Sequence, residues 1–185
     1  MTSRSVPVVN QLGMHARAAA KFVHLAGRFA ADPSLAVLSM QVVDPDGGPG
    51  ARWHVPRLRA GDPERSSVVT TFLGGACAIR RSAYLEAGGL PDLFFYGHEE
   101  TDLAWRLMDR GYRLEYDATA RMCHHTLPNA RHSTFRRQDG RNRVLLAAAR
   151  GSMVTIRADG VDEQEAIDAL SDLVASGFGE GVCSV

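Results

Sequence analysis

The sequence predicts an α/β (α+β) fold, because short extended runs alternate with stretches of helical periodicity along its 185 residues. Near the amino terminus, the β-branched run Val6–Val9 precedes strong helix formers from Ala16 to Phe29. Near the other end, a strand over Met153–Arg157 precedes a helix with an acidic first turn at Asp162 and Glu163. Between these two ends, the middle of the chain has a different pattern, with several strands and helices of its own.

The middle segment has its own strands and helices. Alternating or continuous apolar residues predict strands over Leu35–Val43 and over Tyr112–Tyr116, and an extended run from Val68 to Ile79. Helices are predicted over Ser82–Ala87 and Thr101–Arg110, where Gly-Gly and Gly follow. Residues 131–143 are polar and basic and predict a surface loop or helix.

Each terminal helix carries an apolar stripe with three- and four-residue spacing, which predicts one buried face on each. The first stripe consists of Ala19, Phe22, Val23 and Ala26, and the second of Ile167, Leu170, Leu173 and Val174.

Composition excludes several classes of protein. Hydrophobic residues make up 45% and charged residues 23%, as in soluble globular proteins. The net charge of zero offers no field for nucleic acid or an anionic membrane, so we expect neither partner. Three cysteines without paired spacing predict neither a disulfide framework nor a zinc cluster. No apolar run approaches a signal peptide or a membrane span, and the expected location is cytoplasmic.

A histidine at the start of the first helix is the sharpest chemical feature. His15 precedes the first helical residues, where unpaired backbone N–H groups and the helix dipole attract anions. An ordinary imidazole has a pKa of about 6.5, so its neutral, nucleophilic form is available near neutrality. Arg17 could contact a phosphoryl group carried by that ring. The alternative is a solvated histidine beside a helix cap.

Two segments resemble HPr, the histidine phosphocarrier of the sugar phosphotransferase system. The segments are Asn10–Val23, which resembles the active-site segment, and Leu145–Glu180, which is similar to the last strand and helix of that family. The resemblance implies open-faced α/β sandwich pieces whose first and last strands pair, with Leu35–Val43 as a possible substitute strand. It also implies that His15 accepts phosphate from phosphoenolpyruvate through Enzyme I, that Arg17 holds the phosphate, and that EIIA-type proteins or regulatory acceptors receive it. No cofactor is implied.

An acidic pair and two histidines form a second group of candidates. Glu99 and Glu100 precede a predicted helix, and adjacent carboxylates at a helix start can include a general base. The alternative is an acidic helix start followed by an ion pair between Asp102 and Arg106, four residues apart. Two adjacent histidines follow the next strand and could contribute a metal ligand, or could simply occupy a strand edge: His124 and His125.

Residues 31–143 resemble the acceptor half of a family-2 (GT-A) glycosyltransferase, with the resemblance carried by Phe72–Pro91 and Phe95–Leu107. It implies that Glu100, or alternatively Glu99, is the base, and that a divalent metal (Mg or Mn) and a nucleotide sugar are required. The remaining implied contacts are a metal ligand at His124 or His125 and a sugar-binding surface at Gly74, Gly75, Asp102 and Arg106. Since the nucleotide-binding half is missing, we expect no sugar transfer.

The two resemblances together predict three segments. Residues 1–30 form an HPr-like piece with the histidine, residues 31–144 a partial GT-A-like mixed α/β segment, and residues 145–185 an HPr-like strand and helix. Three functions follow as alternatives. The chain is a phosphocarrier, an inactive glycosyltransferase fragment, or a nonfunctional gene-fusion chimera.

Overall fold

The computed structural model describes residues 5, 7, 16–45, 62–92, 94, 97–123, 135–151 and 155–175. Helices and a mixed four-stranded sheet confirm the predicted α/β class. In chain order the elements are α1 (Ala16–Ala31), β1 (Leu35–Val43), β2 (Ser67–Val68), a 3₁₀ turn (Gly74–Ala76), β3 (Cys77–Ile79), α2 (Arg81–Glu86), α3 (Glu99–Asp109), β4 (Arg113–Cys123), α4 (Phe135–Ala149) and α5 (Glu163–Ala175).

The sheet has the order β2-β4-β1-β3, with β1 in its interior. β1 runs parallel to β4 and antiparallel to β3, and Leu38 is paired with Glu115 on one side and Ala78 on the other. β2 is a short antiparallel edge to β4. Residues on both faces of β1 are buried, which explains why apolar residues dominate this strand, although Ser39 and Gln41 are buried in it too.

The middle of the chain follows its predicted pattern closely. The helix expected over Ser82–Ala87 is α2, and the one expected over Thr101–Arg110 is α3, whose end is followed by Gly111 at a φ of 82°. A non-glycine residue would be strained in that left-handed conformation, so the glycine allows the chain to turn directly into β4. The basic segment that was predicted as loop or helix lies in α4 from residue 135 onward.

The predicted buried stripe of α1 is wrong. Phe22 is 64% exposed and Val23 is 67% exposed. The helix instead turns its opposite face, which includes Leu25 and Arg28, toward the sheet. The physical reason is electrostatic, because Arg28 is held by two carboxylates on β4 and orients the helix.

The carboxy-terminal prediction is confirmed in part. α5 begins at Glu163 as expected, but Leu170 in its apolar stripe remains 44% exposed. The strand predicted over residues 153–157 is not present at residues 155–157, and residues 153 and 154 lie outside the described residues. The predicted strand at residues 6–9 is outside them too, apart from residue 7. Pairing between the two terminal strands therefore stays a prediction.

The chain divides into two compact units. One consists of Met1–Ala87 and Ala104–His125 and contains the sheet, and the other consists of Gly88–Leu103 and Thr126–Val185. Within the described ranges, no helix is both long enough and apolar enough to cross a membrane.

Candidate functional site

The first candidate site is the amino-terminal end of α1. This helix begins at Ala16, the residue that follows His15 in the sequence. The first amides of an α-helix have no partner within the helix, so they can donate to an anion at this end. His15 and the Arg17 side chain lie outside the described residues, and their roles stay predictions.

Ion pairs on β4 hold the other end of α1. Arg28 donates to the carboxylates of Glu115 and Asp117, at 3.3 Å from Nη1 to Oδ2 in the case of Asp117. Arg113 continues the network, with its Nη2 atom 2.5 Å from Asp32 Oδ2 and 2.8 Å from Glu115 Oε1. These side chains connect α1 and the residue after it directly to a strand more than eighty positions later in the sequence.

Asp117 is the most buried carboxylate of this network. Burial alone would raise the pKa of Asp117, but hydrogen bonds from the Thr119 hydroxyl and amide and the nearby Arg28 guanidinium outweigh it. The net result is a pKa below the ordinary value for aspartate. Asp117 is therefore ionised at neutral pH, as the pair with Arg28 requires.

The Arg80 side chain binds the backbone of the turn between α1 and β1. Its Nη2 atom donates to the backbone oxygens of Phe29 at 2.5 Å and Asp32 at 2.8 Å, and its Nε atom donates to Leu35 O at 2.9 Å. The guanidinium also lies 5.6 Å from the centroid of the Phe29 ring, within range of a cation–π contact. One side chain thus satisfies three carbonyl groups around the turn between α1 and β1.

The second candidate site is the beginning of α3. The preceding backbone is unusual, since Gly97 has a φ of 120° and His98 a φ of 74°. His98 is the one non-glycine residue with positive φ in the described part of the chain, and such conformations concentrate at functional sites. The Gly97 amide donates to Glu99 Oε2 at 2.5 Å, so this carboxylate closes the turn at the start of the helix.

Two α4 side chains complete this turn. His98 Nε2 lies 2.9 Å from Asp139 Oδ1, and the buried Asn142 side chain donates from Nδ2 to Gly97 O at 2.6 Å. Sequence reasoning missed Asp139 and Asn142, because they are about forty positions from the acidic pair and belong to no local motif.

The other predicted residues of this second site are distributed as follows. Glu99, Glu100 and Asp102 share the first turn of α3, so the structure brings the acidic pair and Asp102 together. Arg106 donates a hydrogen bond to the backbone oxygen of Ala87, which the sequence pattern did not indicate. Gly74 and Gly75 lie in the exposed 3₁₀ turn. A Cβ atom at Gly75 would meet nothing within 4 Å, so the space beside this backbone is open to a ligand.

The described residues contain no group of three or more histidine, cysteine, aspartate or glutamate side chains that could hold a metal ion. His124 and His125 lie outside the described residues. We therefore derive no step through a metal.

Comparison with known proteins concerns the two ends of the chain. The family model described as "PTS HPr component phosphorylation site" matches residues 2–45 and 144–176. Both ends of the chain match the HPr family. The amino-terminal HPr match contains His15 and Arg17 and also covers α1 and β1, and it therefore extends beyond residue 30.

Individual HPr proteins agree with this result. The chain is 60% identical over 38 residues to the phosphocarrier protein HPr of Cupriavidus necator and 50% identical over 38 residues to that of Neisseria meningitidis serogroup A, covering 20% of this chain and 43% of each relative. It is 62% identical over 29 residues to HPr of Pseudomonas putida, covering 16% of this chain and 32% of the relative. The chain thus spans less than half the length of these curated relatives.

Proposed function

We propose that this protein is a histidine phosphocarrier of the phosphotransferase system. In this proposal His15 accepts a phosphoryl group from phosphoenolpyruvate through Enzyme I and passes it to EIIA-type or regulatory acceptors in the cytoplasm. The observation that carries the proposal is the match of residues 2–45 to the HPr phosphorylation-site family, with a helix that begins at the residue after the histidine.

Phosphoryl transfer to His15 requires only the histidine, Arg17 and the beginning of α1. The neutral imidazole attacks the phosphorus of the phosphoryl group carried by Enzyme I, the bond between that phosphorus and Enzyme I breaks, and Enzyme I leaves without the group. The phosphohistidine is stabilised by the first amides of α1 and by the positive end of its dipole. The Arg17 guanidinium adds a charge-assisted hydrogen bond. No cofactor takes part, because phosphorus–nitrogen bond formation and cleavage need only the histidine and correctly placed donors.

Phosphorylation is expected at one of the seven histidines of the chain. The full chain is incubated with Enzyme I and ³²P-labelled phosphoenolpyruvate, next to the variants His15→Ala and His24→Ala. Because His24 lies on the same helix, it is the matched control for any effect of removing an imidazole from α1. We expect acid-labile label on the native chain and on His24→Ala, and none on His15→Ala. Label that persists on His15→Ala, or its absence from a folded native sample, contradicts the proposal.

A glycosyltransferase-like site is the second candidate, favoured by the acidic turn at the start of α3. The resemblance makes Glu100 the first choice of base, with Glu99 as the alternative, and the Gly97 amide donates to Glu99 in the turn before α3. Donor binding would require a nucleotide sugar and a divalent metal, which the resemblance of residues 31–143 implies. The third candidate, a nonfunctional chimera, has neither activity.

Thermal unfolding separates these candidates. If the second candidate is correct, adding UDP-glucose or GDP-mannose with Mn²⁺ raises the Tm of the full chain, because a ligand that binds only the folded state stabilises it. Glu100→Gln should leave that donor-induced shift in place, since the base acts on the acceptor. An unchanged Tm with every donor rejects the glycosyltransferase reading. An unchanged Tm together with no phosphohistidine leaves the chimera.

A further inference from the structure

We propose that the groove between α1 and the sheet binds a small amphipathic anion, an apolar molecule that ends in a carboxylate or a comparable anionic group. The groove has a volume of about 400 Å³, which falls within the range of small-molecule sites in proteins. It is lined by Ala20, Lys21, His24 and Leu25 of α1, Met40 of β1, and Thr119, Ala120 and Arg121 of β4.

The interior of the groove is apolar. Its apolar lining residues are Leu25, Met40 and two alanines, Ala20 and Ala120. Methionine is flexible and polarisable and adapts to apolar ligands of differing shape. An apolar body of a ligand would gain free energy here by leaving water.

The polar groups of the groove are donors and positive charges. Among the described residues that line the groove, Lys21 and Arg121 supply two cations and His24 an imidazole, and none of these described residues is a carboxylate. Two acids that contact lining residues are already engaged, since Asp117 is paired with Arg28 and accepts hydrogen bonds from Thr119, while Glu64 is paired with Arg121 at 3.0 Å. Two positive side chains beside an apolar surface favour a ligand that is apolar at one end and anionic at the other.

The pair between Arg121 and Glu64 does not close the groove to an anion. Both side chains are exposed, at 51% and 57%, and an exposed ion pair of this kind contributes little free energy. Arg121 has five N–H donors, so its guanidinium can keep Glu64 while it donates to a second carboxylate. Lys21, on α1, supplies a second positive charge to the same groove.

This site goes beyond the phosphocarrier proposal and does not depend on it. It uses the face of α1 that contains Lys21 and His24, whereas the phosphocarrier proposal depends on His15 and Arg17. A failure of phosphorylation would leave the binding prediction unchanged, and the reverse also holds.

Lys21 provides a specific reporter, because it is the only lysine of the chain. Reductive methylation with ¹³C-formaldehyde keeps its positive charge and yields a single side-chain methyl signal besides the amino terminus. The full chain is titrated with decanoate, with the neutral decanol and with cationic decyltrimethylammonium, all below their micellar concentrations. We expect a saturable shift of the Lys21 signal with decanoate, and binding at least about tenfold weaker for decanol and for the cation.

Charge-neutralising variants test the same point by calorimetry. Lys21→Gln and Arg121→Gln should each weaken decanoate binding by roughly three- to tenfold, the size expected of one partly exposed charge contact. Arg81→Gln, an exposed arginine of α2 that does not line the groove, should leave the affinity unchanged. Equal binding of decanoate and decanol, no binding of decanoate, or equal affinities in all three variants and the native chain would overturn the proposal.

Discussion

Replacing Arg80 with methionine is expected to lower the free energy of unfolding by about 2–4 kcal/mol. The guanidinium donates to the backbone oxygens of Phe29, Asp32 and Leu35, and methionine retains the apolar stem but has no donor. Each charged hydrogen bond contributes about 1.5–3 kcal/mol, and we expect less than their sum because water can reach part of this half-buried turn. The lost contact with the Phe29 ring acts in the same direction.

The neighbouring arginine makes an unusually close control for this experiment. Arg81 is the first residue of α2 and is exposed, so Arg81→Met should change the free energy of unfolding by no more than about 0.5 kcal/mol. Urea unfolding followed by circular dichroism gives both values. Equal losses in the two variants would show that Arg80 has no special role in holding α1 to β1.

Replacing Leu38 with alanine is the second change with a large expected effect, about 2–5 kcal/mol of destabilisation. Leu38 is fully buried in the middle of β1, between β4 and β3. It is two residues from Met40 and therefore shares the face of the strand that α1 covers. Its truncation leaves a cavity beneath the helix that the surrounding side chains can fill only in part.

Val68→Ala is the matched control, because Val68 also lies in a strand but is 58% exposed at the edge of the sheet. We expect it to change stability by less than about 1 kcal/mol. Since the total stability of a domain is only about 5–15 kcal/mol, Leu38→Ala should also lower the Tm visibly in a calorimetric scan. A loss in Leu38→Ala no larger than that in Val68→Ala would mean that β1 is not the centre of the core.

The types and approximate bounds of most elements could be predicted from local patterns. The apolar-rich segment of β1 indicated a strand, and the acidic first turn of α5 indicated a helix start. Gly111 follows α3, as predicted. These features depend on neighbouring residues and on backbone sterics, which are local properties of the chain.

The face that α1 turns to the sheet could not be predicted in this way. Its sequence contains two possible faces, one with Phe22 and Val23, and another with Lys21, Leu25 and Arg28 at similar helical spacing. Hydrophobic periodicity favours the first, but Arg28 finds its carboxylates on β4, and this selects the second. Partners so far away in the sequence leave no trace in a local pattern.

The candidate sites likewise have features that local sequence predicts and contacts that only the tertiary structure shows. The sequence by itself predicted a helix from Ala16, directly after His15, and an acidic pair, Glu99 and Glu100, just before a second helix, because helix starts depend largely on adjacent residues. In the structure that second helix, α3, includes the pair and begins at Glu99. Only the tertiary structure decided that Asp139 and Asn142 meet the turn before α3, and that Lys21 and Arg121 face one apolar groove. The reason is that such contacts depend on the packing of distant segments, which fixes distances that no spacing along the chain encodes.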